Sequence, residues 1–309
     1  MKSVALTSPV LVLALLAACG PSSRAGADDD DTGTDGGQPT GDAGECHDVL
    51  DVVFVLDTSS SMGFVTEQLG QQISQVVDAS NMLAPDAHFG LIVFQDNYKL
   101  DTTGPLEGGK VHTAAATLQT AFTYYRNTFT NSDRNPGDGP TGPTTQNPIC
   151  EENSLDSLYA AAAEFPWRAN ATRVVIVATD DTFIEAPDNY GDRDHDGLEN
   201  KTDFPSEGDY PAMHTMAETV AKLREQKVRV FSFSRITQPG IFDRCGTGRR
   251  LPWADITDGW TTPYGTQQPF PMQTDGANFD LDKVKNGTLS LSATINSVVL
   301  DSYCTPVVF

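Results

Sequence analysis

VLDVVFVLDTSSSM, residues 49–62, decides the architecture. Its first eight residues are nearly all apolar and rich in β-branched side chains. A strand that is apolar on both faces belongs inside a parallel sheet covered by helices on both sides, because a sheet with one wet face would alternate. The run closes on Asp57, and Thr58, Ser59, Ser60 and Ser61 follow directly. Oxygen donors therefore stand just past the carboxyl end of a buried strand, which is where open α/β sheets bind their ligands.

Working outward, Val65, Leu69, Ile73 and Val76 form one stripe within residues 64–83, the spacing of a helix that buries a single face. HFGLIVF (88–94) reads as a second strand, 114–125 and 155–165 as helices, and RVVIVA (173–178) as a third buried strand. Met213, Met216, Val220 and Leu223, spaced three, four and three, predict another amphipathic helix that leads into the strand VRVFSF (228–233). Residues 281–303 read mostly as a closing helix, with Gly287 working against a clean start. Alternating short apolar strands and helices predict an α/β fold: a doubly wound, mostly parallel central sheet flanked by helices, with long loop insertions.

The rim of that sheet is acidic twice over, since Thr179-Asp180-Asp181 follows the third strand. Asp57, Ser59 and Ser61 alternate in a tight loop and aim one carboxylate and two hydroxyls at one point. Hard oxygen donors of this kind suit Mg²⁺ or a similar divalent ion that keeps waters and an open position. The same pentapeptide taken alone also reads as a helix cap. VVFVLDTSSSM followed by VVIVATDD closely resembles the von Willebrand factor type A domain and its metal-ion-dependent adhesion site, over essentially all of residues 46–304.

The resemblance implies a Rossmann-like sheet with Asp57, Ser59 and Ser61 as the first metal loop and Asp180 as the acid of the third. Asp181 replaces the Gly usual after that acid. The family's second loop offers a Thr; here the chain reads Cys150-Glu151-Glu152-Asn153-Ser154-Leu155, so Ser154 or Glu152 takes the place. The resemblance further implies Mg²⁺, Mn²⁺ or Ca²⁺ at the site, with added carboxylate favouring Ca²⁺. It implies binding rather than catalysis: the open position receives a carboxylate from a protein ligand, a surface glycan being the other ligand class considered.

A second oxygen-rich motif lies in the expected insertion at about 185–210. Asp192, Asp194, Asp196, Asn200 and Asp203 stand at positions 1, 3, 5, 9 and 12 of a loop with Gly197 at the turn and the Leu198 carbonyl at position 7. It resembles calcium loops of the thrombospondin type 3 and EF-hand kind, with Asp in place of the usual final Glu and no clear entering helix. An acidic surface insertion is the plainer alternative. The expected task of Ca²⁺ there is to order the insertion.

Residues 10–18 (VLVLALLAA) are too short to span a bilayer and follow the basic Lys2, the pattern of a signal peptide covering 1–18. Leu16-Ala17-Ala18-Cys19 resembles the bacterial lipobox, which implies a lipid-modified Cys19 and anchoring in the cell envelope, at the outer membrane for a Gram-negative host. Residues 19–45 then read as the lipidated Cys plus a Gly- and Asp-rich tether with nothing apolar to bury, reaching about 25–30 Å as flexible coil. The domain is expected to cover 46–309. In an exported chain Cys46, Cys150, Cys245 and Cys304 suggest two disulfides, with three connectivities open. Within the von Willebrand factor type A frame, Cys46 and Cys304 fall at the edge away from the metal loops and Cys150 and Cys245 near them, which implies Cys46–Cys304 and Cys150–Cys245.

With 20 basic against 42 acidic residues and a formal charge of −22, the chain is unsuited to nucleic acid, and membrane contact is expected only through the lipid anchor. No Cys or His spacing points to zinc. A haloacid dehalogenase-like phosphatase also begins with a strand ending in Asp, but its second Asp is Ser59 here. Serine hydrolysis lacks its G-x-S-x-G. The remaining alternative is a metal-independent structural or interaction module of the envelope. Trp253, Trp260, Tyr264 and Phe270 read either as part of a recognition surface or as packing beneath a loop.

Overall fold

The computed structural model describes residues 48–131, 136, 151–187, 212–236, 255–307 and 309, all within the unit Gly44–Phe309. The opening stretch forms β1 (Leu50–Asp57), every residue of which is buried. Its one internal charge, Asp51, is answered at the amino end of the sheet, where Arg168 donates from Nε to Asp51 Oδ1 (2.7 Å) and from its backbone N to Oδ2 (2.8 Å). A paired and hydrogen-bonded charge is the form in which a carboxylate survives burial.

Helix α1 (Gly63–Leu83) follows a short 3₁₀ turn, and its predicted stripe Val65, Leu69, Ile73 and Val76 is buried. Then come β2 (His88–Phe94), the edge strand β3 (Tyr98–Leu100), α2 (Ala115–Tyr125), α3 (Ser154–Glu164) and β4 (Thr172–Ala178). The second half contains α4 (Met216–Glu225), β5 (Val228–Ser234), α5 (Phe270–Gln273), β6 (Asn278–Asp280), α6 (Leu281–Lys285) and α7 (Leu291–Ser302). Among the described residues the sheet has six strands in the order β3-β2-β1-β4-β5-β6. All pairs are parallel except β2 with β3. The fold is α/β, a mostly parallel Rossmann-like sheet flanked by helices.

Side-chain alternation sorts the core into two layers. Val52, Phe54 and Leu56 of β1 join Val174 and Ile176 of β4 beneath α1, α2 and α7. Val53 and Val55 join Val175 and Val177 beneath α3 and α4. Both faces of the central strands are therefore dry, as their composition predicts. Among the described residues no helix is long and apolar enough to cross a membrane.

Two elements depart from the sequence reading. Met213 lies before α4 rather than on it and is half exposed, because Thr215 starts the helix with a capping box. Glu218 N donates to Thr215 Oγ1 (3.2 Å), and Thr215 N donates to Glu218 Oε2 (2.8 Å). The closing helix is two helices, α6 and α7. Gly287, at φ 77°, turns the chain between them, and Ser290 caps the second by accepting from Ala293 N. Cys304, just past α7, donates its backbone N to Thr172 Oγ1 at the start of β4, the edge opposite the acidic rim. It is disulfide-bonded. Cys19, Cys46, Cys150 and Cys245 lie outside the described residues.

Candidate functional site

Strand order reverses between β1 and β4: the chain winds outward through β2 on one side and through β5 on the other. That switch point leaves a crevice at the carboxyl ends of the two strands. Their register pairs Leu56 with Ala178, so one step further Asp57 stands opposite Thr179. Thr179 Oγ1 donates to Asp57 Oδ2 at 2.9 Å, while Ser59 N donates to Asp57 Oδ1 at 2.7 Å. Both oxygens of a fully buried carboxylate are thereby fixed in direction.

The first loop then folds over this pair. Ser59 Oγ and Ser61 Oγ share a hydrogen bond of 3.1 Å, and Ser61 Oγ donates to Asp180 Oδ1 at 2.9 Å. The structure thus brings Asp57, Ser59, Ser61 and Asp180 together, with Ser61 exposed above buried carboxylates. Thr58 Oγ1 and N both donate to the Phe94 carbonyl (3.0 and 2.8 Å), tying the loop to β2.

The second loop is drawn in by backbone bonds. Glu152 N donates to Thr182 O (3.1 Å), Asn153 N to Gln95 O (2.8 Å), and Asn153 Nδ2 to Asp96 O (3.0 Å). Glu152 and Ser154 are both buried, Ser154 being the first residue of α3. The Ser154 hydroxyl is buried and has no hydrogen-bond partner among the described residues, an orphan that an additional ligand at the rim would satisfy.

Charge concentrates here. Burial pushes the Asp57 carboxyl up to about 7, and the neighbouring Asp180 charge adds to it against the hydrogen bonds from Ser59 and Thr179. Glu152 is held well above the ordinary carboxylate range, first by burial and then by the charges of Asp57, Asp96, Asp180 and Asp181. Like charges in a desolvated rim destabilise one another unless a proton or a cation intervenes. Among the described residues no three His, Cys, Asp or Glu side chains group as a metal site made of those types alone. The donors at hand are instead two carboxylates, the Ser59 and Ser61 hydroxyls and the orphan Ser154 hydroxyl. That mixed oxygen set fits a hard divalent ion.

Several contributors escaped the sequence reading. Asp96 follows β2 at the same rim, and its position two residues past an apolar strand was an available signal. Thr179, whose hydroxyl orients Asp57, carries no signal of that role in the linear sequence. Arg235, one residue past β5, lies with Nη2 3.2 Å from Asp180 Oδ2; only strand register reveals it. Trp260 and Phe270 are buried and belong to the core, not to a recognition surface. Trp260 packs edge-on against Phe183 (ring centroids 5.6 Å apart), and its Nε1 donates to the Asp181 carbonyl at 2.9 Å, bracing the third loop. Trp253 and the loop residues Asp192, Asp194, Asp196, Leu198, Asn200 and Asp203 lie outside the described residues.

In comparisons with known proteins, the structure is similar to the conserved hypothetical protein BatB from Bacteroides thetaiotaomicron. The TM-score is 0.40 and the identity 14%, over 81% of this chain and 99% of that one. No family model matches the chain, and no curated protein matches it in sequence.

Proposed function

We propose that the chain is a lipid-anchored, extracytoplasmic von Willebrand factor type A-like module. It binds a protein ligand through a divalent ion held by Asp57, Ser59, Ser61 and Asp180, with Ser154 as the second-loop hydroxyl. The reading rests on one observation above all: two mutually repelling, buried carboxylates, Asp57 and Asp180, with the Ser59 and Ser61 hydroxyls between them. A bound ion supplies positive charge and an open position for a ligand oxygen. The chain's own part is orientation: Thr179 and Ser59 N aim Asp57, Ser61 aims Asp180, and Trp260 holds the loop that carries Asp180 and Asp181 in place.

In this reading Mg²⁺ is the first ion to test, with Mn²⁺ and Ca²⁺ beside it because Glu152 and Asp181 add carboxylate to the rim. Ca²⁺ in the loop at 192–203 orders the insertion, Cys46–Cys304 and Cys150–Cys245 brace the domain, and Cys19 carries the lipid. No catalytic step is proposed. A metal-independent interaction module is the second reading. It is favoured by Glu152, a carboxyl buried where the resemblance expects a Thr and held well above the ordinary carboxylate range by that burial.

Calorimetry of the full chain with Mg²⁺, Mn²⁺ and Ca²⁺ separates the two readings. The adhesion-site reading expects two separable classes of site, one lost in Asp57→Ala and the other in Asp194→Ala. Calcium binding that survives Asp57→Ala, with no second class, leaves the metal-independent module.

A further inference from the structure

Arg235 stands one residue past β5, with its guanidinium beside Asp180. The β4–β5 register pairs Ala178 with Phe233, so two steps on, beyond the strand ends, Asp180 stands beside Arg235. Thr179 N donates to Phe233 O at 3.1 Å and holds that register into the loop. The two oxygens of Asp180 then face different ways: Oδ1 accepts from Ser61, on the side of Asp57, and Oδ2 lies 3.2 Å from Arg235 Nη2. One carboxylate thereby bridges the candidate ion position and a guanidinium.

That guanidinium is under-used. It offers five N–H donors in a rigid fork, of which the bond to Asp180 takes one. Its Nε is buried with no hydrogen-bond partner among the described residues; it forms an ion pair with Asp282 Oδ1 on α6 at 3.7 Å, beyond hydrogen-bond range. The side chain is 12% exposed, so the guanidinium as a whole lies at the solvent boundary of the rim although its Nε is buried. An acidic ligand faces an obstacle there, because Asp57, Asp96, Asp180 and Asp181 all lie near enough to act electrostatically on Glu152 at this rim, in a chain of formal charge −22. A second positive group beside the ion offsets that repulsion, and planar carboxylates match the guanidinium fork in geometry.

We propose that Arg235 is a second anchor for the ligand carboxylate that the resemblance implies here, one ligand oxygen going to the ion and the other to the guanidinium, so that the preference for a carboxylate over an amide depends on Arg235. The proposal rests on the ion-site reading above and adds to it the residue that reads the ligand's second oxygen.

Its test uses the full chain and two small probes, N-acetyl-aspartate methylamide and the neutral N-acetyl-asparagine methylamide, each at about 10 mM. Mg²⁺ affinity is measured by calorimetry with and without each probe, and the ratio of the two affinities is compared within each variant. The wild type is expected to bind Mg²⁺ about fivefold more tightly with the aspartate probe and unchanged with the asparagine probe. In Arg235→Gln the aspartate enhancement disappears, and in Arg235→Lys it is partly retained, because an ammonium keeps the charge but not the fork. An enhancement that persists in Arg235→Gln, one that the asparagine probe matches, or none in a wild type that binds Mg²⁺ overturns the proposal. Absence of any Mg²⁺ binding in the wild type overturns the ion-site reading itself, and the proposal with it. Thermal melting of each variant without ion distinguishes a lost fold from a lost contact.

Discussion

At the scale of single residues, Thr179 is the most informative position, because its hydroxyl is the donor that fixes Asp57 Oδ2. Thr179→Val keeps the shape and removes that bond, leaving a buried carboxylate oxygen to find its own direction. Mg²⁺ affinity is expected to fall about tenfold by calorimetry, with Thr179→Ser close to wild type. Far from the rim, Asp101 illustrates the opposite balance to Asp57. Burial alone would raise its carboxyl, but hydrogen bonds from His112, Thr103 and Tyr125 outweigh burial and hold it below its ordinary 3.8. A lowered folded value means that the unfolded chain binds the proton first on acidification. The stability Asp101 contributes is therefore fully present above about pH 4 and is lost as the pH falls through its folded value. In melts run from pH 6 down to 3, Asp101→Asn should show a shallower decline below pH 4 than wild type.

At the scale of elements, the loop after β4 is held less by its own sequence than by what packs under it. Gly259 has φ 79°, and a Cβ there would lie 2.4 Å from the Phe183 ring. The ring in turn stacks edge-on with Trp260, whose indole braces Asp181. Gly259→Ala is expected to destabilise the fold by about 2–3 kcal/mol in urea titration, through backbone strain and a clash in one place, and to weaken ion binding by loosening the third loop. None of this was legible in residues 255–270, where aromatic spacing fits neither a helix nor a strand. By contrast β1, β2, β4 and β5 were legible almost to the residue, because strands dry on both faces are written as apolar runs. Strands β3 and β6, three residues each, are too short to carry a period. The start of α4 was misplaced by following Met213, although T-M-A-E at 215–218 spells out the capping box. For the site, the first and third loops were readable because each directly follows such a strand. Asp96, two residues past β2, was readable on the same ground, whereas Arg235 joins only through inter-strand register, which a linear sequence does not display.

At the scale of the whole molecule, the rim concentrates acid on a chain that is already strongly acidic, and self-repulsion of this kind weakens the compact state. An ion that binds the folded chain and not the unfolded one stabilises it by mass action. With Mg²⁺ at about one hundred times its dissociation constant, the gain is about 2.7 kcal/mol. It should appear as a raised melting temperature that chelator reverses and that Asp57→Asn lacks. A melt indifferent to both Mg²⁺ and chelator would count against an ion at the rim.

The placement of Asp57 at the end of β1, and of Asp180 two residues past the end of the adjoining parallel β4, has one more consequence. Neighbouring strands keep a pitch of about 4.8 Å set by backbone hydrogen bonding, so the bases of the two loops are mounted on a caliper whose jaws the site itself has no means of opening. At the proposed ion site, accommodation of a larger or smaller ion must then come from the loops themselves, the softer part of the mount. Substitutions in those loops should retune which ion is preferred, whereas substitutions in β1 or β4 that shift the pitch should degrade every ion alike.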